Sequence, residues 1–391
     1  MLICSESQAS ELVINFKLIK DIQMKLSVFL LLFSLSVSTY AQSLKTPNVS
    51  ANALFLYRSS NFHKEDTDFA SPDQKRNGFN LREAELQFDS DVDPYTRMSL
   101  LFSIHSGYEA NAGVVEEKWT IEPEEGFVES NLISDVTLKL GKFKTAMGKH
   151  NTLHTHAYVF IDAPLANVNL LGDEGFNDVG VSAAVLLPTR WFSELTLQYV
   201  RGEGENTEFK SSTPGDGVGV AHWKNLFDLT DALTMEVGAS LAAGVNSFAS
   251  TTTLTEADLT FKWRPTVDGR YQSWMWSTEY LGRTQQKVGV ADEKGSGISS
   301  WLQYQFAERW AFLYRYDTLT IENTFNLVSL PNDTSRRSSA GFIYMPSEFS
   351  SYKIEYQQQT GGLPSTTAEK TEKAIFVQAN FTIGAHPAHS Y

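Results

Sequence analysis

The sequence predicts an all-β fold: a transmembrane antiparallel β-barrel of about sixteen strands whose third long loop folds inward. Three observations carry this. Period-two alternation of apolar and polar residues recurs along the chain, and helical periodicity is weak throughout. Connectors alternate between short turn-forming stretches and long polar ones. After Ala41, no window reaches the apolar length of a spanning helix, so membrane crossing would fall to strands.

Taken in order, the chain of 391 residues carries a formal net charge of −14 and opens on a leader. Met24-Lys25, the apolar run 26–37 and the small-residue site Thr39-Tyr40-Ala41 form a signal-peptide pattern, with cleavage expected after Ala41. Residues 1–23 mix Lys17 and Lys20 with Glu6, Glu11 and Asp21, a poor signal n-region, so translation is expected to start at Met24. Residues 42–391 are then expected to form one barrel domain. The single cysteine, Cys4, falls in the leader, so the mature chain is expected to have no disulfide or thiol chemistry. An acidic chain without a basic run is a poor nucleic-acid binder.

Clear alternation marks Met98, Leu100, Phe102 and Ile104; Leu233, Met235, Val237, Ala239 and Leu241; Leu259, Phe261 and Trp263; and Ile375, Val377, Ala379, Phe381 and Ile383. One apolar and one polar face per strand fits lipid outside and water inside. Short connectors are expected at 91–94, 133–134, 188–190, 229–231, 265–268, 307–308 and 346–347. Long ones are expected near 59–77, 106–119, 145–175, 203–217, 245–254, 284–296, 322–335 and 360–372. These short and long connectors join sixteen strands of about ten residues each, with both chain ends on one side. Trp274, Trp276, Tyr280, Tyr304, Trp310, Tyr314, Tyr316, Tyr344, Tyr352 and Tyr356 fall near predicted strand ends, where a bilayer interface favours them.

The chain is organised around 136–187. Alternating runs at either end flank a long segment, Lys142 to Asp178. Its parts 157–161 and 165–171 are too apolar for a loop in water, so burial against the inner wall is expected, with breaks at Pro164 and Gly172.

Leu81-Arg82-Glu83-Ala84-Glu85-Leu86-Gln87-Phe88 and the next strand resemble Gram-negative outer-membrane porins. Gly141-Lys142-Phe143-Lys144-Thr145-Ala146-Met147-Gly148 resembles a stretch of the phosphate-selective porin O and P group, departing from it at Lys142, Ala146 and Met147. That group's basic residues have no residue-by-residue match here, so phosphate selectivity does not carry over. The stretch 141–177, with Asn151-Thr152-Leu153-His154-Thr155-His156, and the tail 383–389 are similar to poorly characterised porin-like barrels, some labelled zinc-regulated or TonB-dependent. Alternation already begins near Ala51, which leaves no room for a TonB-type plug. The resemblance implies a solute channel, and trimers are usual among such porins.

Candidate pore and constriction residues follow. Strict alternation turns Lys139 into the lumen and Lys142 and Lys144 outward, unless Gly141 bulges the strand. Outward lysines would meet lipopolysaccharide phosphates; inward ones, with Lys149, would line the pore. Arg97, Lys262, Arg264 and Arg315 add lumenal positive charge. Glu83, Glu85, Glu122 and Glu124 add negative charge, and opposed charges across a constriction orient dipolar solutes. Five of the eight histidines fall in two groups, His150/His154/His156 and His386/His389. The first group is read as hydrogen-bonding the loop to the wall; metal ligation by it, completed by Asp162 or Asp173, is the alternative. The two groups lie at opposite ends of a barrel, about 25 Å apart.

No Gly-x-Ser-x-Gly, His-Glu-x-x-His or Walker-type loop occurs, so no enzyme is expected. The reading is a passive channel for small polar or charged solutes. It lies in outer-membrane lipid and lipopolysaccharide, needs no cofactor, and, as the resemblance implies, would assemble as a homotrimer. The rivals are a metal-linked uptake barrel using the histidine loop and a non-conducting scaffold or adhesin.

Overall fold

The computed structural model describes residues 46–61, 77–111, 114–204, 206, 208–210, 213, 215–322, 324–325, 328–329, 333–361 and 371–384. The expected leader, the tail histidines His386 and His389, and most of the 59–77 and 360–372 connectors lie outside the described residues.

The strands are β1 (Asn48–Ser60), β2 (Gly78–Asp93), β3 (Thr96–Asn111), β4 (Val114–Ile133), β5 (Val136–Lys144), β6 (Asn177–Leu186), β7 (Phe192–Val200) and β8 (Val218–Thr230). They continue as β9 (Leu233–Val245), β10 (Thr251–Trp263), β11 (Ser273–Gln285), β12 (Glu293–Ala307), β13 (Trp310–Ile321), β14 (Asp333–Ser347), β15 (Ser350–Thr360) and β16 (Thr371–Gly384). Each pairs antiparallel with the next. β16 pairs back onto β1, from Ser60↔Ala374 to Ser50↔Gly384, and closes the barrel. Closure leaves no strand edge unpaired.

Side-chain alternation then sorts the two faces. Leu138, Leu140, Val237, Leu241, Ile298, Ile354, Ile375 and Val377 are exposed on the outer face, while Ser99, Ser103, Ser240, Thr260, Ser277 and Ser299 are buried on the inner one. An aromatic chain runs round the outside: Trp310–Tyr344 at 4.6 Å, Tyr344–Tyr352 at 6.4 Å, Tyr352–Phe381 at 5.9 Å and Phe381–Phe55 at 6.2 Å. An apolar, aromatic-banded exterior around a polar interior defines a membrane-spanning barrel.

One expectation needs correction. Residues 106–119 are not a loop. β3 has 16 residues and β4 has 20, and they pair out to Asn111↔Val114. Backbone pairing needs no apolar side chains, so the hairpin continues where the composition turns polar. Conversely, β5, β6 and β7 have only 9, 10 and 9 residues, the shortest in the wall. The wall is lowest where the long loop leaves it.

That loop, 145–176, turns inward as the alternating runs on either side predict. It forms two 3-10 turns, His150–Thr152 and Thr155–Ala157, then one short helix, α1 (Leu165–Leu171). Pro164 precedes α1, and Gly172 at φ +96° ends it, because a residue without Cβ adopts that conformation readily. Phe160, Ile161, Leu170 and Leu171 are buried. Inner-wall apolar residues receive them. Phe160 packs with Trp301, Ala311, Leu313 and Ile343. Ile161 packs with Leu56 of β1 and Ala374 and Phe376 of β16. Leu170 and Leu171 join Leu254, Leu281 and Leu319. Each such side chain contributes about 1.5–3 kcal/mol on burial.

Candidate functional site: the lumen loop and its seat

The loop departs through Gly141. Its φ is +138°, and a Cβ there would strike the Gly126 carbonyl and Phe127 Cα of the neighbouring strand. By Lys144 the chain has left the β4 ladder, whose last pair with β5 on this side is Gly126↔Lys142. One side chain ties both stems of the loop. The buried Asn151 amide donates to the Thr145 carbonyl at 2.8 Å and the Phe176 carbonyl at 3.1 Å, and its Oδ1 accepts the Phe176 N–H at 2.7 Å.

Four basic side chains from four strands then hold four carbonyls of the loop between residues 158 and 163. Lys353 of β15 donates to Tyr158, Arg82 of β2 to Ile161, Arg315 of β13 to Asp162 at 2.6 Å, and Arg337 of β14 to Ala163. Asp317 is ion-paired with both arginines, at 3.1 Å from Arg315 and 2.9 Å from Arg337. The Arg315 guanidinium also lies 4.7 Å from the Phe160 ring centre, a cation–π contact. The Ile161 N–H donates to Glu355 at 2.9 Å. Charge-assisted bonds to carbonyls are the stronger class, about 1.5–3 kcal/mol each.

Two β-bulges turn extra side chains inward. Leu54 faces Glu83 and Phe55 faces Leu81, so Arg82 is the unpaired residue. Leu101 faces Glu125 and Phe102 faces Pro123, so Glu124 is the other. A bulge re-aims a side chain by adding one residue to one strand. Arg82 and Glu83 therefore both point inward, as do Glu124 and Glu125. His154 bridges the second pair, with Nδ1 2.9 Å from Glu124 and Nε2 2.9 Å from Glu125. Its ring stacks on His156, with centres 5.9 Å apart, and His156 is ion-paired with Glu85. Burial opposes charge on His154, but the two carboxylates prevail and hold the imidazole well above its ordinary pKa. His154 is therefore an imidazolium at neutral pH. Lys144 completes the group, with Nζ 3.1 Å from Glu124 and 3.2 Å from the Glu174 carbonyl.

His150 goes elsewhere. Its N–H donates to Glu279 at 3.0 Å, and its ring lies 4.6 Å from Tyr158. Burial, then the positive charges of Arg315, Lys144 and Arg337, pull its pKa down to about 3, so it is neutral.

On the loop's other side a cavity of about 200 Å³ remains against β7–β10. Lys149, Lys224 and Lys262 line it with Glu194, Glu236, Asp258 and His222. Lys149 Nζ lies 2.7 Å from Glu236 and Lys224 Nζ 3.8 Å from it.

The structure thus separates the sequence candidates. Glu83, Glu85, Glu124, Lys144, His154 and His156 gather on one side of the loop, and Lys149 and Lys262 on the other. Arg315 lies beneath the loop. Lys139 faces inward between Glu129, at 3.5 Å, and the Phe127 ring, at 4.2 Å. Lys142 shares the outer face with Leu138 and Leu140, and its Nζ reaches the Pro123 carbonyl at 2.9 Å. Lys144 lies on the same side by alternation but turns in, because β5 ends there. Arg97, 3.1 Å from Asp89, and Arg264, 3.0 Å from the Gly269 carbonyl, sit at the short-turn rim. Glu122 faces inward beside Ser103 but does not join the histidines. His154 and His156 stack together, but His150 does not join them, because its own tight turn sends its ring towards Tyr158. Sequence reasoning missed Arg82, Arg337, Lys353, Asn151 and Glu355. It also missed the apolar inner wall, which leaves a trace: Leu54-Phe55-Leu56, Phe312-Leu313 and Ile375-Phe376-Val377 are apolar on both faces.

Closed barrel, apolar outer face and inward loop define a sixteen-stranded barrel fold of the outer-membrane type. No family model matches the sequence. A protein of Aquifex aeolicus, described as uncharacterized, is 27% identical over 352 residues, covering 81% of this chain and 71% of that one. Among solved structures, Pseudomonas putida OprB superposes with a TM-score of 0.56 at 8% identity, over 86% of this chain and 94% of that one. The trimer form of OmpT, an outer membrane protein of Vibrio cholerae, gives 0.54 at 9% identity, over 86% and 99%. The anion-selective porin from Comamonas acidovorans gives 0.53 at 10% identity, over 86% and 98%. At these identities the likeness is one of fold.

Proposed function

We propose that this protein is an outer-membrane channel for passive diffusion of small polar or charged solutes, with no catalytic role. The supporting observation is the inward loop 145–176, held against one side of the lumen and facing a charged cavity on the other. Lys149, Lys224 and Lys262 oppose Glu194, Glu236 and Asp258 there. Such opposed charges orient dipolar solutes and reject apolar ones. Three barrels would assemble as in the trimer form of the Vibrio protein. Replacing 152–171 with a short Gly-Ser linker should raise single-channel conductance in a planar bilayer and admit larger solutes. Closure entropy varies slowly with loop length, so the barrel itself should persist. An assembled deletion variant with unchanged conductance would place the restriction elsewhere and defeat the reading.

One observation favours a second reading. Apolar clusters around Phe160, Ile161 and Leu170 fill much of the inner wall region. That suits a non-conducting scaffold. The same measurement separates the two: a scaffold is silent as wild type and conducts only after the deletion.

A further inference from the structure

We infer that Glu85, Glu124 and His154 form a binding site for a divalent metal ion of the zinc type, tying the lumen loop to β2 and β4. The site stands whether or not the lumen conducts.

The three residues come from β2, β4 and the loop, and their donor atoms all lie within 4.8 Å of one another. All three are buried, at 3%, 5% and 6% exposure. Oε1 of Glu85 and Oε2 of Glu124 have no hydrogen-bond partner among the described residues. Buried carboxylate oxygens left in that state are costly, and a bound cation is one of the few things that explains them.

The donor set selects the ion. One imidazole and two carboxylates, with a position left for water, suit zinc and its transition-metal neighbours. Calcium requires six to eight oxygens, which these three residues do not supply. The second layer is also in place. With Nδ1 of His154 on the metal, its Nε2–H would still donate to Glu125, the carboxylate–histidine–metal arrangement that fixes ring orientation. Lys144 would remain on Glu124. Metal bonds of about 2.0–2.2 Å require the three side chains to draw in by roughly 1 Å. The proton on Nδ1 of His154, now between that nitrogen and Glu124, occupies the place the ion would take.

The test titrates zinc chloride alone into the full folded barrel in detergent by calorimetry, with manganese and calcium chlorides for comparison. One zinc per barrel is expected, bound more tightly than either other ion. Glu85→Gln and His154→Gln, with folding checked by circular dichroism, should each weaken binding at least tenfold. Zinc should also slow amide exchange across 150–160 in the wild type and not in the variants. No zinc binding by the wild type, or equal binding by folded variants, overturns the proposal. Should the variants fail to fold, X-ray absorption at the zinc edge of the wild type decides. A shell of one imidazole and carboxylate oxygens supports the site, and several imidazoles or water oxygens alone reject it.

Discussion

Asn151 joins the two stems of the loop with a single amide. Asn151→Ala would leave the Phe176 N–H and the Thr145 carbonyl without this partner, at about 1–3 kcal/mol per orphaned group, while the Phe176 carbonyl keeps the Thr145 N–H at 2.9 Å. The expected result is an assembled barrel whose loop amides, 150–171, exchange faster, measured by hydrogen–deuterium exchange. His150 adds a pH dependence. Its docked pKa of about 3 lies below the ordinary 6.5, because burial, Arg315, Lys144 and Arg337 disfavour its charge while Glu279 takes only its backbone N–H. Loop docking through this group is therefore fully present above pH 6.5 and declines as pH falls towards 3, by about 1.4 kcal/mol per unit. Amide exchange across 150–160 should accelerate between pH 6 and 4 in the wild type, and less in His150→Gln. An identical acceleration in the variant would assign the effect to the carboxylates instead. The sequence shows that these histidines belong to the loop, but not which strand each would meet. That depends on two tight turns, and no spacing rule encodes them.

Among the elements, β2 and β4 show where pattern reading fails. Glu83 and Glu85 are legible as inward, since they oppose Ala84, Leu86 and Phe88. Strict alternation through Pro123–Gly126 turns only one of Glu124 and Glu125 inward, whereas the bulge opposite Leu101 and Phe102 brings in both. A bulge is a one-residue change of phase, and only the pairing partner shows it. β3 carries a cleaner test. Leu100 belongs to the outer face, and Ser103 is buried on the inner one. Leu100→Arg should impair assembly, since an arginine at the bilayer midplane costs about 2–4 kcal/mol. Ser103→Arg should yield normal heat-modifiable barrel on gels. The reverse pair of outcomes would mean that β3 is rotated by one residue.

For the whole molecule, the strand count and the side bearing the long loops were legible, because turn chemistry punctuates the chain and alternation survives between turns. The full extent of the β3–β4 hairpin was not, since polar strands read as loop. Nor was the filled side of the lumen, because inward apolar residues such as Leu56, Trp301 and Phe376 look like noise in a membrane pattern until a loop is found to cover them. Replacing Arg315 and Arg337 together with Met should free 158–163 from the wall without unfolding the barrel. The expected readout is larger, noisier single-channel current at unchanged heat-modifiability.

Ile161 sits where the first and last strands meet, on Leu56, Ala374 and Phe376. In a barrel that seam is the final join of the wall, and the place where it would part sideways towards lipid. A loop from the middle of the chain thus acts as a rivet on the junction of the two ends. Its pocket does not exist until β16 reaches β1, so seating the loop and sealing the wall become one event. Ile161→Ala should cost about 2–5 kcal/mol and be felt first at the seam. Exchange at 50–60 and 374–384 should rise while β8–β10 stay protected.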